Sequence, residues 1–168
     1  FYVGTQAQPI FGNCIIDNNG YYDGARTDKG GNGYIESGSI TMSNSIVEDG
    51  TSDQKAAGIY INNAQGPITF TGCDFLDNDI YSNSGSAGAI WFSGSELTIN
   101  ECIFKYNDGN YSGGGIYLAN GDVNITGSEF NNNTAPYYNG GQGGAIYKSG
   151  SGNLTISTTK FNNNLTSN

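Results

Sequence analysis

The chain has no histidine, one arginine (Arg26) and only six basic residues against fifteen acidic ones. Lacking His, it lacks the side chain that most often binds metals and moves protons near neutral pH. Six scattered cations cannot neutralise a run of phosphates, so nucleic acid is excluded as a partner. Three cysteines in 168 residues do not make a disulfide scaffold. Proline occurs three times, and the strong helix formers Ala, Leu, Lys and Glu are sparse. No apolar run reaches the length of a membrane span, and no signal peptide is visible. The chain opens on Phe1, inside patterned sequence, which leads us to expect that it was processed or belongs to a longer solenoid.

What is abundant points one way. Glycine contributes 27 residues, tyrosine 12 and phenylalanine 8, while charged residues make up only 12%. A disordered chain carries more charge and fewer rings. Aromatic residues set among Gly, Asn, Ser and Thr describe short strands and many turns. The net charge of −9 reads as solubility with, at most, weak cation binding.

The strands repeat. A large apolar residue recurs at Ile16, Val47, Phe75, Phe104, Phe130 and Phe161, at intervals of 26 to 31 residues. Three residues later stand Asn19, Gly50, Asn78, Asn107, Asn133 and Asn164; two residues earlier stand Cys14, Ser45, Cys73, Cys102, Ser128 and Thr159. Further upstream run Phe11, Met42, Phe70, Ile99, Ile125, Ile156 and Pro9, Ile40, Ile68, Leu97, Val123, Leu154. A second set, preceded by small residues, reads Tyr34, Ile59, Ile90, Ile116 and Ile146. Apolar and polar residues alternate within each segment, the signature of a strand with one buried face. A period near 30 is too short for a propeller blade of about 40 residues. The pattern predicts an all-β, right-handed parallel β-helix of about six coils in one domain spanning 1–168, with like residues stacked in columns. Asn19, Asn78, Asn107, Asn133 and Asn164 should form a structural carboxamide ladder, since Asn both donates and accepts.

Paired "GGAI" (Gly143–Ile146) with "FNNN" (Phe161–Asn164), and "GGGI" (Gly113–Ile116) with "FNNN" (Phe130–Asn133), carry a family likeness. Relaxed copies are "AGAI" with "FKYN" and "AAGI" with "FLDN". These motifs resemble the repeats of chlamydial polymorphic outer-membrane-protein passengers and of adhesin-like surface proteins of methanogenic archaea. The resemblance implies a secreted or cell-surface β-helix, often adhesive, with no catalytic residues to carry over.

Several features are candidates for function. Alternation sends the residue after each repeated Ile outward, giving an aromatic stripe of Tyr60, Trp91, Tyr117 and Tyr147, with Ile35 in the same column, as a candidate binding face for glycans or protein partners. Thr41, Thr69, Thr98, Asn124 and Thr155 form a polar stripe. It resembles the ranks of insect ice-binding β-helices, though outward Thr is also the ordinary polar choice on a strand. N-glycosylation sequons begin at Asn110, Asn124, Asn132 and Asn153, with a fifth at Asn164, a poorer acceptor inside the turn ladder. Cys73 and Cys102 share one column in adjacent coils, at a spacing a disulfide tolerates, although small stacked hydrophobes are the simpler reading.

For metal, Asp28–Glu36 has EF-hand-like spacing but lacks the third-position carboxylate, and the acidic loops near Asp17–Asp23 and Asp77–Asp79 are equally vague; calcium is the one cofactor worth testing. Glycosidases need carboxylates converging on a groove, whereas the acids here sit mostly in turns. The sequence therefore predicts a non-enzymatic, extracellular structural or adhesive rod. A fibre subunit stacking head to tail on copies of itself is the first alternative, and a polysaccharide-active enzyme the second.

Overall fold

The computed structural model describes residues 1–20, 29–82, 85–136 and 140–166. Among them are twenty strands and no helix, and every paired strand is parallel to its partner. The chain winds as a β-solenoid. Its clearest wall is a six-stranded sheet made of Ile15–Asp17, Ile46–Glu48, Asp74–Leu76, Ile103–Lys105, Glu129–Asn131 and Lys160–Asn162. These six rungs define about five full turns, in the order the sequence columns predict.

A second wall stacks Ile10–Gly12, Ile40–Ser43, Ile68–Thr71 and Leu154–Ser157 with the later halves of Ile90–Asn100 and Ile116–Thr126. The leading wall stacks Tyr2–Val3, Gly33–Glu36, Ile59–Ala64 and Ile146–Lys148 with the earlier halves of those two long strands. In rungs four and five the connector between the walls is short, so the chain runs on as one 11-residue strand with a bulge near Ser93.

Single residues turn the corners. Asn13, Asn44, Gly72, Glu101, Gly127 and Thr158 occupy one column, with φ from 46 to 61°. Asn18, Asp49, Asp77, Tyr106, Asn132 and Asn163 occupy the next, at 49 to 59°. A left-handed residue bends the strand without a loop, and Asn, Asp and Gly tolerate it best. This explains the Asn and Gly content that looked merely turn-like in the sequence.

Inside, the columns stack as expected. Phe75, Phe104, Phe130 and Phe161 lie nearly parallel, with centroids 4.8, 4.6 and 5.1 Å apart. That spacing is the separation of neighbouring strands, so each ring covers the next. Val47, Phe75, Phe104 and Phe130 are fully buried in one core with the Ile and Leu columns.

One column needs correction. Tyr34 pairs with Tyr60, not with Ile59, whose partner is Gly33. The ring of Phe1 takes the place of a side chain at Gly33, where an added Cβ would meet Phe1 at 2.5 Å. The repeated-Ile column therefore starts with a borrowed ring, and Ile35 moves inward to stand beside Val3 and Ile61.

Candidate functional site

The same shift lengthens the aromatic stripe. Tyr2, Tyr34, Tyr60, Trp91, Tyr117 and Tyr147 are register partners, and their successive centroids lie 4.7 to 5.9 Å apart. The parity is as predicted, because these rings lie outside the main core. Their expected exposure is not found in the middle of the column: Tyr60 is 2% exposed and Trp91 9%. Ala56 and Ala87 pack against them. Lys55 Nζ lies 4.5 Å from the Trp91 centroid and 5.5 Å from that of Tyr60, and Lys29 Nζ lies 5.7 Å from Tyr60. The lysines belong to a further stacked row, in which Lys29, Lys55, Ser86, Ser112 and Gln142 are joined by parallel bridges. Alternation told which side the rings face but not what lies over them. Burial, reinforced by Lys29, lowers the Lys55 pKa, and burial with nearby Glu36 raises that of Tyr60. The accessible rings are the exposed Tyr2 and the half-buried Tyr34, Tyr117 and Tyr147. Tyr34 donates its hydroxyl to Glu36, which also accepts from the Asn62 amide.

The carboxamide ladder forms, with a substitution the repeat does not announce. Asn78 Nδ2 donates to Asn107 Oδ1 at 3.0 Å, Asn107 Nδ2 to Asn133 Oδ1 at 2.9 Å, and Asn133 Nδ2 to Asn164 Oδ1 at 2.9 Å. Each amide also donates to a core-strand carbonyl, such as Phe75 O from Asn107 and Phe104 O from Asn133. In the second rung Gly50 has no side-chain amide and offers only its backbone N–H, which donates to Asn78 Oδ1 at 3.1 Å. Asn32, reaching in from the leading corner, fills the gap: it accepts from Asn19 Nδ2 at 2.9 Å and donates to Asn78 Oδ1 at 3.1 Å. A Cβ on Gly50 would lie 2.6 Å from the Asn32 amide nitrogen. Asn32 sits within the Asp28–Glu36 stretch read for calcium, so its amide is committed to the ladder, while Asp28 lies outside the described residues. So do Asp23 and Arg26. No group of three or more His, Cys, Asp or Glu side chains that could hold a metal occurs among the described residues.

The outward carboxylates do stack in places, against the expectation that turns keep them apart. Asp17 pairs with Glu48, and Glu96 with Asp122. Asp79 pairs with Asp108 in a half-buried corner. Burial, then the neighbouring Asp108, Asp77 and Asp49, push the Asp79 pKa up to about 6. Burial also raises Asp108, which accepts from the Asn110 amide at 2.7 Å. A concave patch of about 310 Å³ beside Gln6, Gln8, Ser37, Ser39 and Gln65 holds no ionisable group.

The sequon residues differ in freedom. Asn124 is exposed on the second wall, in register with Thr98 and Thr155. Asn153 is exposed but bonds Asp122 Oδ1 through both its nitrogens. Asn110 and Asn132 are half-buried left-handed corner residues, and Asn164 donates inward to Phe130 O. The second wall's outward residues, Thr41, Thr69, Thr98, Asn124 and Thr155, stand in the register the sequence predicts, and they and their neighbours Ser43, Thr71, Asn100, Thr126 and Ser157 carry no charge.

The model of one protein family, the right-handed beta helix region, matches residues 1–167. No curated protein and no solved structure matches the chain.

Proposed function

The chain belongs to the right-handed β-helix family, and we propose that it serves as a non-catalytic rod at the cell surface or outside it, structural or adhesive in role. The observation that carries this reading is where the buried polar groups are used. Asn32, Asn78, Asn107 and Asn133 are fully buried and bonded to the next rung or to its backbone. Ser112 Oγ is the one buried side-chain oxygen or nitrogen without a partner among the described residues. Residues invested in stacking make a stiff, elongated scaffold, and recognition falls to the unequal loops and the accessible rings Tyr34, Tyr117 and Tyr147. Electron microscopy of the purified chain should show short straight rods. A glycan array with Tyr117→Ala and Tyr147→Ala controls tests the adhesive part; unchanged binding by both variants would remove those rings from it.

A second copy is the partner best suited to the end rungs. The ladder is directional, each rung donating to the Oδ1 of the next, so Asn164 of one copy is oriented to donate to Asn19 of another. The last rung carries Lys148 and Lys160 and no acid, in a chain of net charge −9. Micrographs at rising concentration decide between filaments and discrete rods. The enzymatic alternative rests on the Asp79–Asp108 pair. Release of reducing ends from a polysaccharide panel, abolished in Asp79→Asn, would favour it over the rod.

A further inference from the structure

Every rung carries, just past its first corner, a small residue with a hydrogen-bonding tip: Cys14, Ser45, Cys73, Cys102, Ser128 and Thr159. These tips form a second ladder. Ser45 Oγ donates to Ser43 O, Ser128 Oγ to Thr126 O and Thr159 Oγ1 to Ser157 O, each two residues back. Each also accepts from the preceding rung: Cys14 N–H donates to Ser45 Oγ, and Cys102 N–H to Ser128 Oγ, both at 3.1 Å. Cys73 and Cys102 keep the pattern with sulfur. Their thiols donate to Thr71 O at 3.5 Å and Asn100 O at 3.3 Å, and Cys73 N–H donates to Cys102 Sγ at 3.4 Å.

We propose that Cys73 and Cys102 form a redox-dependent clasp, closing to a disulfide that staples the third rung to the fourth. The two residues are fixed opposite each other by the flanking partners Thr71↔Asn100 and Asp74↔Ile103. In parallel strands this puts their Cα atoms about 4.8 Å apart, inside the range of about 4.4–6.8 Å that a disulfide spans. Cys14 cannot compete, because Ser45 stands between it and Cys73 in the column. Serine occupies the same place in two other rungs, so sulfur is not required by packing or by the ladder.

In the folded rung the contact between the two sulfurs favours the thiolate on Cys73 over Cys102, while burial disfavours it on both. The thiolate is the attacking species. With a small-molecule disulfide as oxidant, the Cys73 thiolate attacks one sulfur and expels a thiolate, giving a mixed disulfide. The Cys102 sulfur then attacks the Cys73 sulfur and expels the second. Two protein thiols are oxidised, one disulfide is reduced to two thiols, and the two protein thiol protons end on the leaving groups. Cys73 and Cys102 are 0% and 1% exposed, so exchange belongs to folding or to an opened rung.

The test is to refold the 168-residue chain from urea with oxidised glutathione or with dithiothreitol, then alkylate it under denaturing conditions and map the peptides. With the oxidant, Cys14 should be found alkylated or carrying glutathione, Cys73 and Cys102 should escape alkylation, and a peptide joining those two should appear. Its folding equilibrium constant should rise on the order of a hundredfold over the reduced form. Cys73→Ser and Cys102→Ser keep the ladder, so both should match the reduced protein and lose the response; Cys14→Ser should respond like the parent. Free Cys73 and Cys102 after oxidation, a mixed disulfide persisting on either of them, or an oxidised chain that fails to regain its β-sheet circular dichroism would each overturn the proposal.

Discussion

Asn78 and Asn107 stack on each other one residue away from Asp79 and Asp108, which also stack. The backbone is nearly the same in both columns and the outcomes are opposite. A carboxamide is its own complement, donating to one neighbour and accepting from the other, so each added rung improves the column. A carboxylate only accepts, and a second one at strand spacing repels it; burial first, and that repulsion second, push the Asp79 pKa up to about 6. Stacking rewards self-complementary groups and penalises like charge. The long Asn column and the two-member Asp column follow from that rule.

The strongest way to break the comparison is to write one column into the other. Asn107→Asp removes donors to Phe75 O and Asn133 Oδ1 and buries a charge among acceptors. We expect a loss of about 3–5 kcal/mol at pH 7 in urea titrations, partly recovered at pH 4, where the acid can be neutral. A loss under 1 kcal/mol would mean that the ladder contributes little. Next comes Gly50→Ala, whose Cβ would lie 2.3 Å from Ala57 O and 2.6 Å from Asn32 Nδ2; about 3 kcal/mol is expected. Adding Asn32→Gly should cost less than the sum of the two single changes, because the pair shares one contact. Full additivity would contradict the exchange between Gly50 and Asn32.

The Asp column gives a smaller, pH-dependent effect. Its folded pKa lies above the ordinary unfolded value of 3.8, so its penalty is complete above about pH 6 and absent below the unfolded pKa. Stability should therefore rise as the pH falls from 7 towards 4. Allowing for solvent screening of a half-buried group, the gain is about 1–2 kcal/mol. Asp79→Asn should flatten that part of the curve, read as the difference from the parent chain. The smallest effect is expected at Thr158, a β-branched corner residue with φ of 47°. Thr158→Gly should move stability by less than about 0.5 kcal/mol, because relief of left-handed strain is offset by the entropy of glycine and by loss of the bond that Thr158 Oγ1 accepts from Gly127 N–H, read as a shift in the thermal midpoint.

Most of the fold was legible because a solenoid writes its contacts as a period. The Phe, Leu and Asn columns could be aligned by eye, and their register survives intact in the strands. What escaped were places where one rung borrows from another part of the chain. Gly33 looked like a gap, so the alignment slid to Tyr34, yet the missing side chain is supplied by Phe1. Gly50 looked like a lost Asn, yet Asn32 restores the amide from a different corner. The aromatic stripe was legible in direction and not in exposure, since the row that covers it, Lys29, Lys55, Ser86, Ser112 and Gln142, keeps a fixed spacing from the rings but is polar and carries no apolar signal. Alternation reports sides, and only three-dimensional packing reports cover.

The covered ring at the fourth rung has a practical consequence. Trp91 is the only tryptophan in the chain, held between Tyr60 and Tyr117 and capped by Lys55. Its fluorescence therefore reports on one mid-rod location, while circular dichroism averages over all rungs. If the rod unzips from its ends, the dichroic signal should decay before the indole emission shifts to the red. If it melts as a unit, the two should move together.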